Sequence, residues 1–266
     1  MVLVSALAGG SRRALSADDC PTAADAIATD RPDITNSSLV VPRGSLQTEN
    51  GVDWTVWRGA NALDASNTRL RLGVAHCTEF LIDVPDYFGS FDRLQPSGFS
   101  DVVASFKRQL PAPFGFDLSA TAGLGFPSGA TKIAGRGYQP YIQVPWSRGI
   151  APGWGVAGML TLAWFPSEPA QNLIFQPTLE FDRELGASAD VFVEYVGDYS
   201  HQRPAQLLDG GGAWRLTRTQ QLDLHFGFGL NRSSGALNGS PVDRYFGLGY
   251  SIRFDRLFGG SVGNSS

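Results

Sequence analysis

The chain has 266 residues, of which 42% are hydrophobic and only 17% charged, and it contains 32 glycines and 16 prolines. This mixture favours strands and turns over helices, and no run of about 18 apolar residues, the length that a membrane-spanning helix needs, occurs. The formal net charge of −4 gives no basic face for nucleic acid. A membrane β-barrel and a soluble β-sandwich are the two folds that the composition leaves open.

The N-terminal residues precede the first strand-like pattern and divide into two parts. Residues 1–14 begin with a short apolar run, which is typical of the end of a secretory signal segment. Residues 15–43 are polar, and their prolines prevent long regular structure. We interpret residues 15–43 as a periplasmic lead-in of an exported protein, with partial occupation of a barrel lumen as a further option.

From residue 44 to residue 254, apolar and polar residues alternate with a period of two, which predicts strands with two different faces. About twelve such segments occur, an even number, as in bacterial single-chain outer-membrane barrels. They lie at residues 46–56, 68–74, 78–84, 98–110, 117–126, 137–147, 154–165, 172–182, 187–198, 204–216, 221–231 and 246–254.

The connections between these segments alternate in length. The long ones are residues 58–66, 85–97, 127–136 and 232–242, and the short ones are residues 75–77, 111–115, 183–186 and 217–219. Short periplasmic turns opposite longer outer loops are typical of outer-membrane barrels. With this orientation, the outward aromatic residues form two girdles at the strand ends. The sequence therefore favours an all-β, antiparallel, up-and-down transmembrane barrel in contact with the lipids of a bacterial outer membrane.

The polar faces of the segments would meet in the barrel lumen. An Arg or Lys facing lipid at mid-depth costs roughly 2–4 kcal/mol, so charged residues belong inside. Two interpretations stay open: the charges pair and fill the lumen, or they line a polar pathway with an acidic bias that favours cations or neutral solutes. The candidate lumen-lining residues are Glu49, Arg69, Arg71, Glu79, Lys107, Glu180, Glu194, Arg215, Asp223 and His225.

Two runs near the start of the chain resemble a known family. The run Thr29–Thr35 and the run Val41–Gly51 are together similar to the opening signature of the outer-membrane transporter family called MetA-pathway of phenol degradation. The resemblance covers about residues 29–254 of the chain. It implies a barrel for the uptake of aromatic or other small hydrophobic compounds, and it transfers no binding residues. The signature residues are Asp30, Arg31, Pro32 and Asp33.

Catalytic chemistry finds little support in the sequence. Ser200 and His201 are adjacent, but adjacent residues of a strand face opposite ways and no orienting acid is implied. No metal-ligand spacing occurs, and we expect neither a cofactor nor an enzyme. Two function hypotheses follow: a passive channel for small, aromatic or hydrophobic solutes, and a barrel with a non-transport role as a surface-contact protein or an enzyme. A continuous passage would favour the first hypothesis.

The two ends of the barrel region carry further expectations. Cys20 and Cys77 are the only cysteines, and an even pair in an exported chain is a disulfide candidate. The alternative is that Cys20 is removed or too mobile, which would leave Cys77 a lone thiol. Phe254 ends an apolar C-terminal pattern, so the barrel assembly machinery is an expected partner. Residues 255–266 are expected to form a mobile tail.

Overall fold

The computed structural model describes residues 20–57, 60–91, 96–135, 137–165, 173–200, 204–230, 236–237, 240–241 and 243–257. The predicted signal segment, residues 1–14, lies outside these residues, as do His201 and most of the predicted tail. Within the described ranges there is no helix that is long and apolar enough to cross a membrane.

The described residues form sixteen strands, and twelve of them build one antiparallel barrel. The strands are β1 (Leu46–Trp57), β2 (Ala60–Ala75), β3 (Thr78–Asp83), β4 (Tyr87–Ser90), β5 (Gly98–Phe99), β6 (Val102–Leu110), β7 (Asp117–Phe126), β8 (Gln139–Ala151), β9 (Trp154–Trp164), β10 (Leu173–Glu184), β11 (Ala189–Asp198), β12 (Ala205–Thr217), β13 (Gln220–Gly229), β14 (Ala236–Leu237), β15 (Ser240–Pro241) and β16 (Arg244–Phe254). The short strands β4, β5, β14 and β15 lie in the connections.

The barrel is closed because the first and last strands pair with each other. β1 pairs with β16 from Leu46 opposite Phe254 to Val56 opposite Arg244, and on its other side β1 pairs with β2. Each remaining barrel strand pairs with the next barrel strand along the chain. The prediction of an up-and-down barrel with about twelve strands is confirmed.

One predicted long loop is instead a continuation of the first hairpin. Residues 60–66 pair with residues 51–57, so β1 and β2 extend the sheet beyond the predicted strand limits. Sequence periodicity did not show this extension because residues 60–66 carry only one large apolar side chain, that of Leu63. Backbone N–H and C=O groups make the ladder, and they do so whatever side chains the residues carry.

The two faces of the wall differ sharply in character. On β13, the outward residues Leu224 and Phe226 are 47% and 51% exposed, whereas the inward residues Asp223 and His225 are each 5% exposed. The same contrast holds around the barrel, where exposed large side chains are apolar and buried ones are mostly polar. Apolar residues outside and polar residues inside are the arrangement of a membrane barrel. The protein is a barrel of the bacterial outer membrane.

Residues 24–42, called the plug below, lie inside the barrel. Buried residues run through the whole segment: Ala24, Ile27, Asp30, Thr35, Asn36, Ser38, Val40 and Val41. The plug enters beside the short turns, where Ile27 N–H donates to the Arg218 carbonyl, and it returns to the same end at Gly44, whose N–H donates to the Gly73 carbonyl. The expectation of a periplasmic lead-in is therefore corrected for residues 24–42. A twelve-stranded barrel has room for such a chain, and inward polar side chains satisfy its backbone.

Candidate functional site

Asp30 of the plug lies among three basic residues of the barrel wall. Lys107 Nζ and Arg71 Nη1 lie 3.0 and 3.2 Å from Asp30 Oδ1, and Arg69 Nη1 lies 3.2 Å from Asp30 Oδ2. Burial alone would raise the pKa of Asp30, but the charges of Arg71, Lys107 and Arg69 outweigh it and hold that pKa well below its usual range. Asp30 is thus a charged anchor of the plug.

Two glutamates complete this cluster, which we call the basic anchor (Asp30, Glu49, Arg69, Arg71, Glu79 and Lys107). Arg71 lies 2.9 Å from both Glu49 and Glu79, and all three side chains are fully buried. The glutamates also hold the plug backbone: Glu49 accepts the N–H of Asp30 at 2.9 Å, and Glu79 accepts that of Val41 at 2.7 Å. On this side the lumen is filled with paired charges.

Glycines in the wall make room for the plug. A Cβ atom added at Gly51 would lie 2.3 Å from Cζ of Arg31, and one added at Gly73 would lie 2.1 Å from the carbonyl oxygen of Pro42. Gly249 lies below the same arginine, whose Nη2 is 3.5 Å from Asp223 Oδ1. At these three inward positions the plug or its partner occupies the space that a side chain would take, so wall and plug fit each other.

The opposite wall has a different character. Glu180, Glu194 and Asp209 are cross-strand neighbours on β10, β11 and β12, and we call them the acidic row. Among the residues that the structure describes, no arginine or lysine lies within ion-pair distance of these three. The plug meets the row through backbone donors: the N–H groups of Ile34 and Thr35 donate to the two oxygens of Glu194 at 2.8 and 2.9 Å.

Asp33 of the plug places a further carboxyl group against the acidic row. Its side chain contacts that of Glu180, although neither carboxylate can donate a hydrogen bond without a proton. Burial raises the pKa of Asp33 well above its usual value, and the charges of Glu180 and Glu194 raise it further. The contact between Asp33 and Glu180 is therefore stable only while the pair holds a proton.

A small apolar patch lies beside the acidic row. Val196 and Leu207 pack with Tyr245 inside the lumen, and Ile34 of the plug packs against this cluster. The hydroxyl group of Tyr245 faces the Asp209 carboxyl group. The tip of the plug, Ile34 and Thr35, thus contacts an apolar surface and an acidic surface at once.

A family model described as "Putative MetA-pathway of phenol degradation" matches residues 29–254. The chain belongs to this family. The match begins within the plug and ends at the last residue of β16, so it covers most of the plug and the whole barrel.

Solved structures of two porins resemble this MetA-pathway barrel. The NanC porin matches with a TM-score of 0.56 and 8% identity, over 78% of this chain and 98% of NanC. The KdgM porin, solved in complex with disordered oligogalacturonate, matches with a TM-score of 0.53 and 7% identity, over 79% of this chain and 99% of KdgM. At this identity the likeness concerns the fold alone. No curated protein matches the sequence.

All ten residues that the sequence suggested as lumen-lining point inward, but they have different neighbours inside the barrel. Arg215 pairs with Asp190 at 3.2 Å, away from the plug, and His225 Nε2 lies 3.0 Å from Asp53 Oδ1. The other eight contact the plug or a neighbour that does: Glu49, Arg69, Arg71, Glu79, Lys107, Glu180, Glu194 and Asp223. Three of the MetA-pathway signature residues, Asp30, Arg31 and Asp33, meet the wall directly.

The two cysteines are joined. Cys20 and Cys77 form a disulfide with their Cα atoms 5.2 Å apart, which ties the chain just before the plug to the β2–β3 turn. Sequence reasoning missed the roles of Ile34, Thr35 and Tyr245, and the family signature was the only signal near the first two. No group of three or more potential metal ligands occurs in the described part of the chain.

Proposed function

We propose that this protein is an outer-membrane channel for the passive uptake of small aromatic or hydrophobic solutes, and that the plug controls the passage. The observation that carries the proposal is the unequal anchoring of the plug. One side is held by the basic anchor and the disulfide, whereas the acidic row holds the tip only through hydrogen bonds and a proton-dependent contact. A segment anchored in this way can leave one wall while remaining attached to the other.

The apolar residues on the inner surface of the barrel favour an apolar solute. Four buried apolar residues point into the lumen from neighbouring strands: Met159, Ile174, Val196 and Leu207. Ion conduction does not require such an apolar surface, whereas apolar solutes bind to apolar walls with a few polar groups. The description of the family, which refers to phenol degradation, agrees with aromatic solutes.

A second candidate function is a barrel that stays closed and acts through its outer surface. The presence of the plug in the lumen favours it, because buried ion pairs such as that of Lys107 with Asp30 resist separation. In that case the protein would serve as a surface-contact protein or carry an activity on its outer loops.

Solute uptake into proteoliposomes separates the two candidates. The purified barrel is compared with protein-free liposomes, because aromatic solutes cross lipid unaided, and the solutes are small aromatic compounds and sugars of similar size. A channel of the proposed kind accelerates the aromatic compounds more than the sugars. An uptake equal to that of protein-free liposomes for every solute would favour the closed barrel.

A further inference from the structure

We infer that the plug tip is an internal ligand, and that the solute which replaces it on the acidic row is a small apolar molecule with a protonated amine. This inference rests on the proposed channel function and names its solute class. It follows from three features of the contact between Ile34–Thr35 and the wall.

The first feature is the chemistry that the tip presents. Glu194 accepts hydrogen bonds from the N–H groups of Ile34 and Thr35 and from the hydroxyl group of Thr35. The side chain of Ile34 packs at the same time against the apolar cluster of Val196, Leu207 and Tyr245. An alkylammonium or arylmethylammonium ion likewise combines three donors with an apolar group, and one or two of its N–H groups can point at a single carboxylate.

The second feature is the charge that the tip leaves uncompensated. Glu180, Glu194 and Asp209 stand side by side, and within the described ranges none of them has an arginine or lysine partner. Glu180 Oε2 and Asp209 Oδ2 make no well-formed hydrogen bond among the described residues, and the polar groups that face these two side chains, the Asp33 carboxyl group and the Tyr245 hydroxyl group, bring no positive charge. Burying carboxylates without a counter-charge is costly. The plug tip donates hydrogen bonds but brings no positive charge, whereas an amine would bring both.

The third feature is a polar group aimed at the row that the plug does not use. Tyr245 is only 4% exposed, its hydroxyl group faces Asp209, and this hydroxyl makes no well-formed hydrogen bond within the described part of the chain. Its ring also belongs to the apolar patch. Tyr245 therefore offers an aromatic face and a hydroxyl group to a molecule that occupies the position of Ile34.

A neighbouring carboxylate already shows that this wall accepts a cation. Asp223, on the next strand β13, has Arg31 of the plug as its partner at 3.5 Å. A carboxylate head group on the solute would be repelled by the acidic row, and an alcohol would bring a donor but no charge. Among head groups on the same body, the amine fits the site best.

Three probes with one ring and different head groups test the inference: benzylamine, benzyl alcohol and benzoate. The reporter is a Ser38→Cys variant, because Ser38 is a buried plug residue outside the Glu194 contact and the native cysteines are joined to each other. Labelling of the new thiol by a soluble maleimide measures the release of the plug. We expect benzylamine to accelerate labelling about tenfold, since hydrogen bonds to charged groups contribute about 1.5–3 kcal/mol, benzyl alcohol to act weakly and benzoate not at all.

A pair of matched variants identifies the carboxylate involved. Glu194→Gln keeps an acceptor oxygen for the plug but removes the charge, and about tenfold more benzylamine should then be needed for the same labelling rate. Asp190→Asn, on the same strand β11, is the control and should leave the response unchanged. An equal response to the three probes, or an unaltered response of Glu194→Gln, would overturn the inference. Solute uptake without a head-group preference would also overturn the inference, but it would leave the proposed channel function intact. Amine-dependent labelling without solute uptake would support the binding site on the acidic row and contradict the channel function.

Discussion

Lys107 Nζ donates a hydrogen bond to Asp30 Oδ1 across 3.0 Å, and both side chains are buried. This contact joins a strand of the barrel wall to a segment that precedes the barrel in the chain. Because Arg71 and Arg69 also face the same carboxylate, Asp30 links the plug to three bases that the wall residues Glu49, Glu79 and Asp83 also contact. The plug is therefore part of the folded barrel and completes its lumen.

Removing the charge of Asp30 should weaken the whole structure. In Asp30→Asn, the bases keep only Glu49, Glu79 and Asp83 as partners, and we expect a loss on the order of 3 kcal/mol in the free energy of unfolding, as for a broken buried ion pair. The partly exposed pair of Asp190 with Arg215 gives the control, and Asp190→Asn should cost less than about 1 kcal/mol. Denaturant unfolding of both variants measures the difference. Equal losses would show that Asp30 is no anchor.

Wall glycines give a second test of the fit between barrel and plug. Gly73→Ala places a methyl group against the carbonyl oxygen of Pro42, whose backbone has to shift, and overpacking of this kind costs about 1–3 kcal/mol. Gly149→Ala is the matched control, because a Cβ atom there has nothing within 4 Å. We expect faster protease cleavage within the plug for Gly73→Ala alone. Identical cleavage of the two variants would contradict the observed packing.

The barrel could be predicted from the sequence far better than the plug could. The alternation of Leu222, Asp223 and Leu224 is local, and it determines which face each residue of β13 takes. The position of the plug depends on contacts such as that of Thr35 with Glu194, which lie 159 residues apart in the chain. Residues 24–42 have no periodicity, and their backbone groups have scattered partners: the N–H group of Val41 donates to Glu79 of the wall, whereas that of Ser37 donates to Asp30 within the plug. Nothing local distinguishes such a segment from a polar lead-in in the periplasm.

The disulfide between Cys20 and Cys77 should be present in the isolated protein. Mass spectrometry of unreduced protein after treatment with an alkylating reagent should show no modified cysteine, and two modified thiols would contradict the structure. Reduction should increase protease access to the start of the plug, because it removes the tie at the β2–β3 turn. The barrel itself should keep its heat-modifiable migration on gels, since its strand pairing does not depend on this bond.

The release of the plug should depend on pH through Asp33. The pKa of Asp33 is raised in the plugged state, so this state holds a proton that the released state gives up. The plugged state therefore loses stability as the pH rises, by up to about 1.4 kcal/mol per pH unit. The pKa of Asp30 is lowered, so its stabilising contribution is present above the ordinary carboxyl range and is lost only in strong acid. Planar-bilayer conductance should therefore rise from mildly acidic to mildly alkaline buffer. Asp33→Asn should flatten this profile, and an unchanged profile would exclude Asp33 as its source.

The central claim, that passage requires the plug tip to leave the acidic row, is tested most directly by locking the tip in place. The hydroxyl groups of Thr35 and Thr178 are in contact, so the double variant Thr35→Cys/Thr178→Cys can form a disulfide between plug and wall. Thr178→Cys alone, under the same oxidising conditions, is the control that cannot form this bond. We predict that planar-bilayer conductance is lost in the oxidised double variant and retained in the single one. Equal conductance of the two variants would contradict the claim.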